Sequence, residues 1–241
     1  MGISTSKWPI GTLINMGTVA IGSLIGLYLQ GIFPENIQRI IFQAIGLATL
    51  ILGIMMGLKV PEGYLLNFIF SLILGAILGE LIGIQSFLQN LGDSIKVALN
   101  IGEGTFTQGL ITAFLLFCIG SMTFVGAIEE GLKGKRDLLM VKSTLDGISS
   151  IAFAATYGIG VLFSIVPMLI FQGGITLMAR QLQRFFTPTM IAQLSSVGGA
   201  LIIGIAINIL ELGQINVENL LPALIVTIPL TWVQQRVQAT R

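Results

Sequence analysis

The stretch KSTLDGISSIAFAATYGIG, residues 142–160, places a lysine and an aspartate four residues apart inside an apolar run, with three serines and two threonines around them. How it sits in a membrane sets the side of every segment after it. Either it crosses a bilayer with a carboxylate inside, or it dips in and returns, and every later segment changes side. Composition makes the membrane the setting. The chain has 241 residues, 54% of them hydrophobic and 10% charged, with a mean hydropathy of +0.93, whereas a soluble domain carries about a quarter charged residues. Thirty glycines point the same way, because small residues let helix backbones approach where lipid removes the hydrophobic drive between them. The absence of histidine excludes an imidazole metal site or proton relay, and the single Cys118 excludes disulfides within the chain. A net charge of +1 gives no case for nucleic acid as a partner, and no motif calls for a cofactor.

Windows of about 20 residues, long enough for some 30 Å of hydrocarbon, occur at 10–30, 37–59, 63–84, 107–128, 138–156, 159–179, 189–210 and 218–235. The first follows a single Lys7 and resembles a signal peptide. It is too long for one and lacks a small-residue cleavage site, so it reads as a retained span. The start MGISTS matches a myristoylation pattern that is redundant on a multi-pass chain. With eight crossings one side receives Lys7, Lys59, Lys133, Lys135, Arg136, Lys142, Arg180, Arg184, Arg236 and Arg241, and the other Arg39 and Lys96, a 10:2 split. Making 138–156 re-entrant moves Arg180, Arg184, Arg236 and Arg241 across and gives 6:6. The positive-inside rule therefore favours a full fifth span and both termini in the cytoplasm. Helix rise puts Asp146 about 12 Å into it, near the midplane. Lys142 lies about 6 Å in and within reach of the interface. The expected fold is all-α, a polytopic membrane helix bundle of about eight transmembrane helices forming a single membrane domain over 1–241.

A weak internal repeat accompanies the count. Leu24, Leu29, Gln30 and Phe33 recur as Leu177, Leu182, Gln183 and Phe186, each run leading to a proline, Pro34 and Pro188. Ile40, Leu50, Ile51, Gly53 and Ile54 recur as Ile191, Leu201, Ile202, Gly204 and Ile205. Spans 1–3 (10–84) would then match spans 6–8 (159–235) in opposite orientation, flanking the central 107–156. That is the inverted arrangement of many secondary transporters, which bind substrate near the midplane. Leucine and isoleucine matches are also what chance supplies in any membrane protein.

Candidate binding groups converge on the fifth span. At helical spacing Lys142, Asp146 and either Ser149 or Ser150 share a face, with Ser143 beside them. An intramembrane carboxylate costs several kcal/mol and faces a cavity or a partner. Asp146 would bind a cation or carry a proton with the hydroxyls as neutral ligands, or it would simply neutralise Lys142. In GSMTFVGAIEEGLKGKRD (120–137), Glu129 or Glu130 is either a vestibule carboxylate or part of a solvated loop, and Gly120, Ser121 and Gly126 suit close packing. In VPMLIFQGG (166–174), Pro167 removes a backbone donor ahead of Gln172, Gly173 and Gly174. This is either a broken helix exposing backbone groups or a packing kink. Asn15 and Thr12 of GTLIN, and Asn208 further on, are polar groups suited to ligands or to interhelical hydrogen bonds. Residues 85–106 have helical amphipathic spacing and fit an interfacial helix, with NIGEGTFTQG (100–109) as a glycine-rich joint after it.

The segments GTLIN, GSLIGL, IGSMTFVGAIEEGL, KSTLDGISSIAFA and GIGVLFSIVP, in that order, resemble the YqgA/YdfK family of bacterial inner-membrane proteins over about residues 9 to 235. The resemblance implies a multi-pass inner-membrane protein, suggests transport, and assigns no ligand. The expected function is a secondary transporter or exchanger of a small solute or cation, with candidate binding residues Asp146, Ser143, Ser149, Ser150, Gln172, Asn15 and Glu129. The alternatives are an oligomeric cation channel lined by Asp146, or a structural or regulatory membrane protein. Expected partners are the lipid bilayer, the solute or cation, and further copies of the chain. Enzymatic chemistry is not expected. Intramembrane aspartyl proteolysis needs two carboxylates, and no histidine exists to activate Ser149 or Ser150.

Overall fold

The computed structural model describes residues 8–30, 32, 34–99, 106–183 and 186–239. Its elements are α1 (Ile10–Gln30), α2 (Glu35–Gly57), α3 (Leu65–Ile82), α4 (Ile84–Leu99), α5 (Phe106–Cys118), α6 (Ser121–Lys133) and α7 (Asp137–Tyr157). After these come α8 (Gly160–Phe163), α9 (Ile165–Met168), a π-helical turn (Leu169–Gly173), α10 (Gly174–Leu177), α11 (Ala179–Leu182), α12 (Pro188–Ile209), α13 (Val217–Leu220) and α14 (Ala223–Ala239). No strand occurs among the described residues. Among the described residues seven helices or runs of helix are long and apolar enough to cross a membrane, or eight if the bent pair α5–α6 is one span. The protein is an all-α membrane protein. Residues 1–6 of the myristoylation pattern, Phe33 of the repeat and residues 100–105 of the glycine-rich joint lie outside the described residues.

Burial is inverted relative to a water-soluble fold. In α3 the buried residues are Ser71, Gly75 and Gly79, while Leu65, Leu66, Phe70, Ile73, Ile77 and Leu81 are all at least half exposed. Lipid solvates the outward aliphatic side chains, and the helix packs through its small residues instead. Local signals end the helices. Gly83 closes α3 and Gly134 closes α6, both in the left-handed region (φ 72° and 68°) that glycine enters without steric cost. Thr187 caps α12, its Oγ1 accepting from the Met190 N–H at 3.1 Å, with Pro188 at the first helical position.

The chain divides into two compact units, Met1–Ile45 with Glu103–Arg184, and Gly46–Gly102 with Phe185–Arg241. In the first, α1 and α7 run side by side in the same direction. Thr18 Oγ1 donates to the Ser143 carbonyl at 2.8 Å, and Gly22 and Gly26 meet Gly147 and Ile151. A Cβ at Gly22 would fall 2.1 Å from the Gly147 oxygen, and one at Gly26 would fall 2.3 Å from that of Ile151. In the second unit α3 packs against α13 and α14 through Gly75 on Ala223 and Gly79 on Asn219, and α2 packs against α12 through Gly53 on Ile203 and Gly57 on Gly199. Both pairings are antiparallel.

The fifth window is one uninterrupted helix of 21 residues, α7, about 31 Å long at 1.5 Å per residue. The fourth, expected as a single span over 107–128, is instead broken. Phe106–Cys118 and Met122–Lys133 meet at 60°. Gly120 stands extended at the joint (φ −119°, ψ 152°), which interrupts the hydrogen-bond ladder. The sixth span, Gly160–Leu177, is a single candidate span that passes through short α-helical pieces and the π-helical turn. Residues 84–99 form the amphipathic helix α4.

Candidate functional site

A polar cluster assembles inside the first unit from three segments that are otherwise apolar. α1 contributes Asn15, α7 contributes Lys142 and Asp146, and the π-helical turn contributes Gln172. All four are buried, Asn15 and Gln172 completely. Asn15 Nδ2 donates to Asp146 Oδ2 at 2.9 Å and to Gln172 Oε1 at 3.2 Å. Lys142 Nζ forms an ion pair with the same Asp146 Oδ2, one helical turn away. The carboxylate therefore has two donors, one from its own helix and one from a neighbour, which is how an intramembrane charge is tolerated.

The parallel seam positions these groups. Thr12, Asn15, Val19, Gly22, Ser23 and Gly26 are the buried stripe of α1, at helical spacing. On α7 the buried stripe is Leu139, Lys142, Ser143, Asp146, Ser150, Phe153 and Tyr157. Because glycines let the backbones nearly touch, short side chains reach across from one helix to the other. Thr18 Oγ1, whose single O–H is shared between Asn15 O and Ser143 O, fastens the seam beside the cluster.

Several buried polar atoms in this region have no partner: Asn15 Oδ1, Gln172 Nε2 and Thr12 Oγ1. Thr12 lies one turn from Asn15 on the same face, and a Cβ on Gly173 would sit 3.7 Å from its methyl group. Buried groups of this kind are normally satisfied, by protein, water or a ligand. Cys118, at the end of α5, is buried within electrostatic reach of both Lys142 and Asp146.

The remaining sequence candidates fall in different places. Ser143 is buried, but its Oγ donates to the Leu139 carbonyl at 2.7 Å. Ser150 is buried with its Oγ donating to Gly147 O at 2.8 Å, whereas Ser149 is half-buried. Glu129 is half-buried as well. It is Glu130 that turns inward: its Oε1 accepts from the Gly11 backbone N–H at 2.8 Å and from Arg136 Nε at 2.7 Å. Since Gly11 opens α1, Glu130 caps that helix from another segment and complements its dipole. Asn208 closes the turn after α12, with Nδ2 donating to Ile215 O and Oδ1 accepting from Ile215 N, both at 2.8 Å. Thr18 and the capping role of Glu130 were missed by sequence reasoning. A threonine three residues after Asn15 was visible, but its cross-helix partner was not.

A family model described as protein of unknown function (DUF554) matches residues 10–232. The chain belongs to this family. Among similar DUF554 proteins, the uncharacterised membrane protein YdfK of Bacillus subtilis (strain 168) is 34% identical over 219 residues, covering 90% of this chain and 93% of that one. The uncharacterised protein YqgA of Escherichia coli (strain K12) is 30% identical over 230 residues, covering 92% and 96%. No solved structure matches. The resemblance read from IGSMTFVGAIEEGL and KSTLDGISSIAFA therefore holds over nearly the whole DUF554 chain.

Proposed function

We propose that this DUF554 protein is a secondary transporter or exchanger of a small solute or cation, with Asp146 as its binding or coupling carboxylate. One observation carries the reading: a buried carboxylate, hydrogen-bonded across helices to Asn15 and through it to Gln172, beside unpartnered polar atoms on Asn15, Gln172 and Thr12. The π-helical turn in the sixth span supports the same reading, since such turns cluster at functional positions.

We take the expected inverted repeat as a second line of support. Its counterpart spans are neighbours within single units: Asn15 of the first span meets Gln172 of the sixth, Gly53 of the second meets Ile203 of the seventh, and Gly75 of the third meets Ala223 of the eighth. The parallel course of α1 and α7 agrees with an odd number of crossings between them, so the bent α5–α6 pair counts as one crossing. Together with the 10:2 distribution of Lys and Arg, this favours the bacterial cytoplasmic membrane with both termini cytoplasmic.

The test is flux in proteoliposomes. Sodium, potassium and proton gradients are imposed in turn, with trapped pH and cation dyes and a panel of labelled amino acids and organic acids as readouts. Wild-type protein is expected to show counterflow of at least one species, and the Asp146→Asn variant to lose it. Unchanged flux in that variant would overturn the assignment of Asp146, and conduction without counterflow would replace the exchanger by a channel.

A further inference from the structure

We infer that a cleft beside Glu80, in the second unit, binds a phospholipid with a primary ammonium headgroup. Glu80 accepts from the ammonium while an acyl chain lies along the apolar wall. The cleft holds about 500 Å³ between the end of α3 and the segment leading through α13. Ile77, Leu81, Ile215 and Leu220 supply its apolar wall, and Glu80, Asn216 and Asn219 its polar groups.

The carboxylate is held in place before any ligand arrives. Asn219 is buried, and its backbone presses on α3: a Cβ at Gly79 would fall 2.0 Å from the Asn219 carbonyl oxygen. Its amide is committed at both ends. Oδ1 accepts from the Gln85 N–H at 2.8 Å, and Nδ2 donates to Glu80 Oε2 at 2.6 Å. Gln85 lies in the first turn of α4, where N–H groups have no partner within the helix. One asparagine thus ties α4, α13 and the Glu80 side chain together. Fixing a binding group in advance lowers the cost of binding.

Charge selects the headgroup. Among the described residues no lysine or arginine pairs with Glu80. The next cation along the chain, Lys96, is carried by α4 about 16 Å beyond Gln85 at 1.5 Å per residue. A carboxylate offers about four acceptor positions, of which Asn219 takes one. A primary ammonium brings three N–H donors to the rest, in charge-assisted bonds, and a quaternary ammonium brings none. Depth selects a lipid. Glu80 stands two residues before the end of α3, an 18-residue span. After Gly83 the chain enters α4, an amphipathic helix of the kind that lies at the level of the headgroups. Ile77 and Leu81, 50% and 78% exposed, leave the apolar wall open to the surrounding acyl chains. Asn216, exposed in the same cleft, offers a neutral amide donor to the phosphate.

The experiment is native mass spectrometry of the full chain in detergent. It is titrated with dioleoyl phosphatidylethanolamine, with phosphatidylcholine as the trimethylated counterpart, and with phosphatidylglycerol, all on the same acyl chains. The wild type should bind phosphatidylethanolamine about tenfold or more tighter than either of the others, the worth of hydrogen bonds to a charged group. Glu80→Gln retains an acceptor for Asn219 Nδ2, so it should unfold at the wild-type temperature in lipid-free detergent and bind phosphatidylethanolamine and phosphatidylcholine alike. Asn216→Ala should weaken both of those lipids by the same factor and leave their ratio intact, since both carry the phosphate. Equal binding of the two lipids by the wild type, or a preference that survives in Glu80→Gln, would overturn the inference. Displacement of the bound lipid by free ethanolamine at matching concentration would overturn the lipid as occupant and assign the carboxylate to a soluble amine.

Discussion

Replacing Gly22 by alanine should disable the site without touching any polar residue in it. The added Cβ would lie 2.1 Å from the Gly147 carbonyl oxygen and 2.2 Å from Ser150 Oγ. Non-bonded heavy atoms settle near 3.5 Å, so the helices must separate by about 1 Å or more, and a backbone carbonyl has no rotamer through which to yield. Seven residues earlier, about 10 Å along the helix, Asn15 Nδ2 stands 2.9 Å from Asp146 Oδ2. A separation of about 1 Å takes that contact beyond hydrogen-bond range. Overpacking costs about 1–3 kcal/mol, and a hydrogen bond to a charged group contributes about 1.5–3 kcal/mol. Because the two effects share one displacement they do not add fully, and a net loss of about 2–4 kcal/mol follows. For a chain of this size that is a fall of about 5–15 °C in unfolding temperature, measurable by scanning fluorimetry in detergent, together with loss of Asp146-dependent flux. The control lies on the same helix: a Cβ at Gly17 meets nothing within 4 Å, so Gly17→Ala should be neutral or stabilising by up to about 1 kcal/mol. Equal effects of the two substitutions, or an unchanged Gly22→Ala protein, would refute the seam as the device that holds Asn15 against Asp146.

Three further outcomes follow from the same contacts. Asp146→Asn leaves Lys142 as an uncompensated buried charge, a loss of about 3–5 kcal/mol. The double variant with Lys142→Met should recover most of it, and a thermal double-mutant cycle measures the coupling. Glu130→Gln removes the charge that Oε1 offers to the Gly11 N–H and to Arg136. It should cost about 1–2 kcal/mol and raise hydrogen exchange at the start of α1. Thr187→Ala removes the cap on Met190 and the acceptor used by Gln235 Nε2 at 2.7 Å. A loss of about 1 kcal/mol should appear as faster exchange in the first turn of α12.

Much of the fold was legible because lipid imposes a simple code. Residues 138–156 read as a full span from the distribution of Lys and Arg, and α7 is one unbroken helix there. An irregular sixth span was readable from Pro167, because proline lacks a backbone donor, and a π-helical turn follows it at Leu169–Gly173. The break at Gly120 was not, because a glycine within an apolar window serves equally as a packing position. Within the site, Asp146 stood out as a carboxylate in an apolar run and Gln172 as a polar residue at mid-span depth, whereas Asn15 read as a partly interfacial polar group. Their convergence was not readable, since it depends on which helices are neighbours. For the same reason Glu129 and Glu130 were indistinguishable in sequence. A rotation of about 100° per residue decides which of them reaches Gly11, and only the packing of α6 against α1 fixes that rotation.

The π-helical turn shows how local backbone geometry serves the cluster. Ser164, Met168, Gln172 and Thr176 recur every four residues, and all are buried. In a regular α-helix four residues turn through 400°, so each step drifts about 40° and the fourth member would lie about 120° from the first. A stripe drifting that far would carry one end of the series out to lipid. Between Leu169 and Gly173 the wider turn takes back part of the drift, so the four positions stay on one face. Gln172 is the long polar member of that series. Without the wide turn, its amide would begin to rotate away from Asn15. The irregularity in the sixth span is therefore what presents a polar side chain to the carboxylate of α7 while the flanking Ile170 remains directed to lipid, 72% exposed.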